Sequence, residues 1–390
     1  MTVAVVGAGL AGLRTAEAMR QQGYAGRIVL IGDEVHPPYS RPPLSKEVLR
    51  GDVEPDVAVL RSDDELAALD VERKTGMAAT ALRVADREVV LADGATVRYD
   101  DLVVATGSTP RTLPGVDAAS VHLLRTLDDC LALRDALQAD ARVVVVGAGF
   151  IGLEVAASAR ARGCTVTVVD VLREPLARVL DPAIGAAVRR LHEEHGVTFR
   201  LGVGVDAVDQ DAVRLSDGTT APADVVVVGI GVRPTTSWLD DSGLTLDDGV
   251  VCDATLAAAP GVWAVGDVAR WSPAPGAPTV RVEHWTNATE QPHIVARSIV
   301  SGEPEPFVTV PYFWSDQYDA KLQSLGTQTP PDETRVVIGA LNEPKWVALV
   351  RAGDRLGGVV GMRSPGRVMK LRPLLAAGAS WQDALDAVTG

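Results

Sequence analysis

The same ten-residue turn occurs twice in this chain. VAVVGAGLAG carries glycines at Gly7, Gly9 and Gly12, and VVVVGAGFIG carries them at Gly147, Gly149 and Gly152, 140 residues later. Each copy follows a run of mostly β-branched residues and opens a helix-like stretch, the context in which such a turn binds a dinucleotide. The glycines there give a tight turn, a close backbone approach to pyrophosphate and close packing of helix on strand. The pyrophosphate then rests on the helix N-terminus, where free N–H groups and the dipole favour an anion. An acid about 20 residues on should bind ribose hydroxyls. Asp33 lies 21 residues after Gly12, and Asp170 lies 18 after Gly152. Two such units predict two dinucleotides with electrons passing between them.

The rest of the chain repeats on the same scale. A strand at 2–6, a helix at about 10–22 and a strand at 27–32 form a first βαβ unit. HPPYSRPPLSK (36–46) follows, and its four prolines exclude a regular helix or central strand, leaving a long loop. A meander (76–99) leads to DLVVATGSTPR (101–111), a buried strand ending in a glycine turn. A helix near 127–139 precedes the second βαβ unit (142–170), a second meander (197–220) and DVVVVGIGVRP (224–234), again strand then glycine turn. GVWAVGDVAR (261–270) gives a strand ending at Asp267. A proline-rich loop (273–278) and a helix at about 286–301 come next. From about 306 short strands alternate with loops and close on a helix at 380–388, without a third glycine signature. The fold class is therefore α/β: two duplicated Rossmann-like nucleotide-binding domains plus a C-terminal α+β domain.

Length and charge limit the function. A chain of 390 residues has room for two or three cores. A net charge of −14 argues against nucleic acid as a partner. No uncharged apolar run reaches 18 residues, so no transmembrane helix is predicted. The strand starting at Thr2, with neither a basic n-region nor a cleavage site, argues against a signal peptide. Cys130, Cys164 and Cys252 are far apart and form no CxxC, which disfavours a redox dithiol or zinc site and favours the cytoplasm. The six histidines show no ligand spacing, so no metal is expected, and His192 and His195 in HEEH read as a surface helix end.

The motifs resemble a known family. The two glycine turns, ATG at 105–107, GVWAVGD at 261–267 and PYSRPPLSK look like FAD-dependent pyridine-nucleotide reductases. YSRPPLSK, GAGFIGLE, EHWTNATEQ and PYFWSDQYD narrow the resemblance to NADH:ferredoxin reductases serving bacterial cytochromes P450 and ring-hydroxylating dioxygenases. It covers nearly the whole chain. It implies an FAD-binding domain at 1–112 and 231–305, an NAD-binding domain at 113–230 and a C-terminal domain at 306–390. For FAD it implies Gly7, Gly9, Ala11 and Gly12 at the pyrophosphate and Asp33 at the adenosine ribose. It also implies Arg41 and Lys46 along the flavin, Ala79 on the adenine side, Arg125, Asp267 at the ribityl chain and Trp285 at the pyrimidine end. For NADH it implies Gly149, Ile151, Gly152, Glu154, Asp170 and Gly231.

Physical reasons accompany several of these roles. A carboxylate at Asp170 accepts the ribose hydroxyls of NADH and repels the 2′-phosphate of NADPH, though Arg173 offers a place for such a phosphate. Lys46 and Glu154, the expected catalytic pair, would form a partly buried ion pair beside the flavin, since either alone would be an unpaired charge against an apolar ring. A solvated loop lysine and a first-turn acid favoured by the macrodipole are the plainer readings. Phe150 would either cover the flavin ring or pack in the core.

The loop after the first βαβ unit lacks a cysteine, so a thiol relay is disfavoured and the electrons must leave by another route. The resemblance implies a [2Fe–2S] ferredoxin. Rubredoxin, a quinone or monodehydroascorbate on the same scaffold, or a redox-sensing role of the apoptosis-inducing-factor type, are the alternatives. Ferredoxins are usually acidic, so an acidic enzyme needs a local basic surface to dock one. The stretch 351–372 supplies Arg351, Arg355, Arg363, Arg367, Lys370 and Arg372 against only Asp354, and Arg281 would extend it. Trp285 and Trp314 are candidate aromatic groups between flavin and surface, with core packing the plainer role for Trp314.

Overall fold

Runs of valine and isoleucine, stiff at χ1 and apolar on both faces, suit parallel strands covered on two sides. In the computed structural model, which describes residues 1–273, 278–327 and 332–389, those runs form the centres of two parallel sheets. Residues 274–277 of the predicted proline-rich loop lie outside the described residues. The chain divides into two compact units, Met1–Ser40 with Ala58–Thr109 and Val232–Thr309, and Arg41–Val57 with Pro110–Gly231 and Val310–Gly390.

In the first unit a six-stranded sheet runs Ala257–Ala259, Val262–Ala264, Asp101–Val104, Thr2–Val6, Arg27–Ile31, Glu72–Lys74. All neighbours are parallel except the first pair. The helix Leu10–Gln21 follows the first glycine turn, and the helix Trp285–Ser301 packs on it. The unit also holds a three-stranded antiparallel meander, Ala79–Arg83, Glu88–Leu91, Thr96–Arg98, and a small sheet of Val250–Cys252, Ala269–Trp271 and Val280–Arg281.

The second unit repeats this plan. Four parallel strands run Thr198–Leu201, Thr165–Asp170, Arg142–Val146, Val225–Val228, with the helix Phe150–Ala161 after the second glycine turn. Its meander is Val205–Val208, Ala212–Leu215, Thr220–Pro222. The unit also holds a five-stranded antiparallel sheet, ordered Tyr312–Gln317, Ala320–Gly326, Arg355–Met362, Trp346–Ala352, Glu333–Ile338. Leu325, Leu349, Val359, Val368 and Trp381 build the core between that sheet and the helices that follow it. The duplicated α/β plan and the C-terminal α+β segment are thus as the sequence predicts.

Two local expectations change. The proline-rich stretch is helical in part: Pro42–Ser45 forms a 3-10 turn and Glu47–Arg50 a short helix ended by Gly51 at φ +78°. Proline with its fixed φ suits a first helical turn, so clustered prolines excluded only a long helix. The same stretch leaves the first unit. Ser158 Oγ donates to the Ser45 carbonyl at 2.7 Å, Arg162 donates to the Arg50 carbonyl at 2.8 Å and Cys130 Sγ donates to the Leu44 carbonyl at 3.1 Å. Hydrogen bonds at such sequence separation carry no local signature, which is why the expected boundaries kept this loop with the first unit.

Candidate functional site

The two glycine turns have the same construction. At Gly7, φ is +114° and a Cβ would lie 2.2 Å from the Ala105 carbonyl oxygen; at Gly147, φ is +108° and a Cβ would lie 2.3 Å from that of Gly229. At Gly12 and Gly152 a Cβ would lie 1.9 and 2.1 Å from the carbonyl oxygen of the first glycine of the same turn. Those four glycines are required by the protein itself. The middle glycines differ. A Cβ on Gly9 would meet nothing within 4 Å, and one on Gly149 only the Gly229 carbonyl oxygen at 3.9 Å. Gly9 and Gly149 are also the N-caps of their helices, with no side-chain cap and no acid in the first turn. Each turn therefore presents main-chain donors and a positive helix end to open space, which fits a dinucleotide pyrophosphate.

In the first unit Ala11 is buried on its helix, and a Cβ on Gly266, next to Asp267, would lie 3.1 Å from the Ala11 Cβ. Ser108 donates to Asp267 Oδ2 at 2.9 Å, and Gln291 Oε1 accepts from the Gly266 N–H at 2.7 Å. Ala79 opens the meander and Trp285 opens its helix, whose first turn carries no acid. His284, the N-cap of that helix, is pushed down to about 4 by burial. Asp33 is exposed one residue past Gly32.

The two ribose acids are not equivalent in register. The Gly7 N–H donates to the Ile31 carbonyl and the Gly147 N–H to the Val169 carbonyl, so Gly32 is the counterpart of Asp170. A Cβ on Gly32 would lie 2.5 Å from the Ala8 Cβ, which leaves no room for an acid there and displaces it to Asp33. Asp170 instead folds back on its own turn. It accepts from the Ala148 N–H at 2.7 Å and the Leu172 N–H at 2.8 Å. Ile151 is exposed in the same turn, and Gly231 (φ +100°) has open space where a Cβ would stand. Arg173 is exposed.

Lys46 and Glu154 meet inside the second unit. Lys46 Nζ is 2.7 Å from Glu154 Oε2, with the residues 8% and 4% exposed. Glu154 is the fifth residue of the Phe150–Ala161 helix, and no acid lies in the first turn. The macrodipole reading of Glu154 is therefore replaced by a buried ion pair, as is the solvated-lysine reading of Lys46. Serines that the motif reading did not single out complete the carboxylate's shell: Ser45 Oγ donates to Oε2 at 2.5 Å and Ser315 Oγ to Oε1 at 2.6 Å. Ser45 sits beside Lys46 in the proline-rich motif, but nothing in the sequence ties Ser315 to residue 154. Arg41 donates to the Arg125 carbonyl in the same unit. Phe150 packs on Phe313, with ring centroids 4.6 Å apart, which favours its packing role. Trp314 stacks on Tyr312 at 5.8 Å and carries Lys321 Nζ over its ring.

All three cysteines are buried. Burial pushes Cys130 up to about 11 and Cys252 up to about 12, and raises Cys164. Neutral buried thiols are poor nucleophiles. His192 corrects the expectation of a surface helix end. It is fully buried, bonded to Gln317 and Tyr318, while His195 alone is exposed.

The docking cations divide similarly. Arg281 has a side chain only 10% exposed and is paired with Asp248 at 3.1 Å and Glu283 at 2.6 Å, so its charge is compensated within the first unit. Arg363 pairs with Asp319, Arg351 with Glu333 at 3.6 Å, and Arg355 donates to the Gly378 carbonyl. Arg367 and Lys370 stand exposed on the helix Pro365–Lys370, and Arg372 begins the next helix. Among the described residues no cluster of His, Cys, Asp and Glu is suited to a metal, and no helix is long and apolar enough to cross a membrane.

Comparison with known proteins follows this geometry. Residues 1–291 match the pyridine nucleotide-disulphide oxidoreductase family, and residues 312–388 match the reductase C-terminal family. Rhodocoxin reductase of Rhodococcus erythropolis is 37% identical over 385 residues, covering 96% of this chain and 90% of that protein. Putidaredoxin reductase of Pseudomonas putida is 37% identical over 376 residues, covering 93% of this chain and 89% of that protein. The solved covalent complex of putidaredoxin reductase with putidaredoxin contains a chain that matches with a TM-score of 0.93 at 34% identity, covering 100% of this chain and 98% of that one.

Proposed function

The chain belongs to the pyridine nucleotide-disulphide oxidoreductase family, and we propose that it is an NADH:ferredoxin reductase that supplies electrons to a cytochrome P450 or a ring-hydroxylating dioxygenase. It is an oxidoreductase that uses FAD and NADH. The observation that carries the reading is the duplicated turn, each copy with a middle glycine facing open space at an uncapped helix N-terminus. Gly7, Gly9, Ala11 and Gly12 would hold the FAD pyrophosphate, with Asp33, Ala79, Asp267 and Trp285 on the rest of that cofactor and Arg41, Lys46 and Arg125 contributing charge. Gly149, Ile151, Gly152, Asp170 and Gly231 would hold NADH. Bound FAD supplies the conversion of a two-electron donor into single-electron deliveries.

The protein's own residues supply binding, orientation and electrostatics. Asp170 orients the adenosine ribose and repels a 2′-phosphate. Lys46 and Glu154 keep one charge of each sign inside a water-poor site without a net charge, and the two serines satisfy the carboxylate. The exposed Arg367 and Lys370, with Arg363 and Arg372 near them in sequence, are the proposed contacts for an acidic [2Fe–2S] ferredoxin, and the paired Arg281 takes a structural role. Buried thiols fit a cytoplasmic setting. The test supplies NADH with either a small dye or a set of [2Fe–2S] ferredoxins. Ferredoxin reduction at rates comparable to the dye is expected. Fast dye reduction with every ferredoxin inert would move the assignment to a quinone or signalling role.

A further inference from the structure

Glu154 is the inner end of a longer structure. Ser315 Oγ donates to its Oε1, Gln317 Nε2 donates to Ser315 Oγ at 3.1 Å, and Gln317 Oε1 lies 2.9 Å from His192 Nε2. His192 Nδ1 lies 3.0 Å from the Tyr318 hydroxyl. Ser315 and His192 are 0% exposed and Gln317 is 2% exposed. Tyr318 reaches a surface pocket of about 390 Å³ lined by Arg160, Ala161, His195 and Asp319, and its ring stacks on His195 at 3.7 Å. Tyr318 stands at the tip of a two-residue hairpin with φ +56°, a left-handed conformation that is strained for a non-glycine residue. Backbone strain of this kind persists where the surroundings hold it.

Hydrogen-bond chemistry gives the chain a direction. A carboxylate only accepts, so Ser315 donates to it. The Ser315 oxygen then accepts from the Gln317 amide, whose carbonyl accepts in turn. His192 must therefore carry its single proton on Nε2, and Nδ1 accepts from Tyr318. An amide does not pass protons on, so the chain acts through aligned dipoles.

We propose that Tyr318, His192 and Gln317 are positioning residues for Glu154. They form a one-way chain of donors that orients this carboxylate against Lys46 and holds His192 as the Nε2–H tautomer. Lys46 is the charged group facing Glu154, and His195, with Arg160 and Asp319 in the same pocket, flanks the outer end. The chain stands on its own geometry. Its bearing on the reaction rests on the role proposed above for Glu154.

The polarity predicts that changing the inner end reverses every bond. In Glu154→Gln the amide oxygen must face Lys46, an ammonium with donors only, so the NH₂ faces Ser315. Leaving Gln317 as it is would strand the buried Ser315 O–H. Flipping Gln317 satisfies it and moves the His192 proton to Nδ1.

The test is ¹⁵N NMR of the holoenzyme with labelled histidine, the His192 signal being assigned from His192→Gln and folding checked by circular dichroism. Wild type is expected to show the Nε2–H tautomer, and Glu154→Gln the Nδ1–H tautomer. Ser315→Ala cuts the chain, so adding Glu154→Gln to it should leave His192 unchanged. A wild-type Nδ1–H tautomer, or a Glu154→Gln protein with the tautomer unaltered, overturns the proposal. A second measurement separates the chain from its use. Ser315→Ala removes one donor from the Glu154 carboxylate and is expected to move the acid limb of the ferredoxin-reduction rate to higher pH. An unmoved limb with the NMR coupling intact refutes the reactive role of Glu154 and leaves the chain standing.

Discussion

The fold fixes Asp170 and Lys46, two residues proposed for the chemistry, through contacts of their own. The Asp170 carboxylate closes its own glycine turn through two N–H groups and keeps acceptor capacity for a ribose. Asp170→Ala should raise the KM for NADH roughly tenfold, the worth of one charged hydrogen bond, and narrow the preference over NADPH. Steady-state kinetics with both nucleotides measure this, and an unchanged KM would remove Asp170 from the ribose. Lys46→Ala leaves Glu154 buried without its cation, so the protein should lose about 3–5 kcal/mol in urea unfolding. The paired change Lys46→Met with Glu154→Gln should recover much of that loss, because it leaves no charge behind. Both residues were legible as an expected pair from the motifs alone. The serines around them were not, because a hydrogen bond between residues 154 and 315 leaves no trace in spacing.

At the scale of elements, the glycine turns separate what the fold requires from what the ligand requires. At Gly152 an added methyl collides with backbone, whereas at Gly149 it meets almost nothing. Gly152→Ala should therefore lower the melting temperature by several degrees, in line with a loss of more than about 1 kcal/mol. Gly149→Val should leave the melting temperature of the nucleotide-free protein nearly unchanged and weaken NADH binding by tenfold or more. Calorimetry and a binding titration distinguish the two, and equal losses of stability would contradict the division. Both parallel sheets and their meanders could be read from valine runs and turn residues. The proline-rich segment could not be read as fully. Its prolines excluded a long helix and left open the short helical turns that aim Ser45 and Lys46.

For the whole molecule, charge and burial set the responses to salt and pH. With ferredoxin docking proposed at Arg367 and Lys370, its reduction should slow as ionic strength rises, and Arg367→Glu with Lys370→Glu should slow it further without changing dye reduction. Burial holds His192 and His284 at about 4, below the unfolded value of about 6.5. The unfolded chain therefore binds more protons in that window. The stability due to these neutral imidazoles is complete above pH 6.5 and is lost as pH falls towards 4. His192→Gln should make the urea midpoint less sensitive to the change from pH 7 to pH 4.5, and an undiminished sensitivity would show that His192 is not a contributor.

The sequence by itself determined the duplicated dinucleotide scaffold and a C-terminal α+β segment without a third glycine signature, and it disfavoured a thiol relay. Those properties reside in local patterns: β-branched runs, glycine spacing and the residue types present. Tertiary structure alone decided the environments. HEEH reads as a solvated helix end, yet the strand Tyr312–Gln317 and its hairpin cover His192 and leave His195 outside. Glu154 reads as the partner of Lys46, yet helix register and the Ser45–Lys46 turn decide how deeply the pair is buried, and Ser315 from a distant strand completes its shell. Arg281 reads as a free surface cation, yet Asp248 and Glu283 compensate it. In each case the deciding partner is distant in sequence or set by the backbone's register, and burial is a property of what covers a residue.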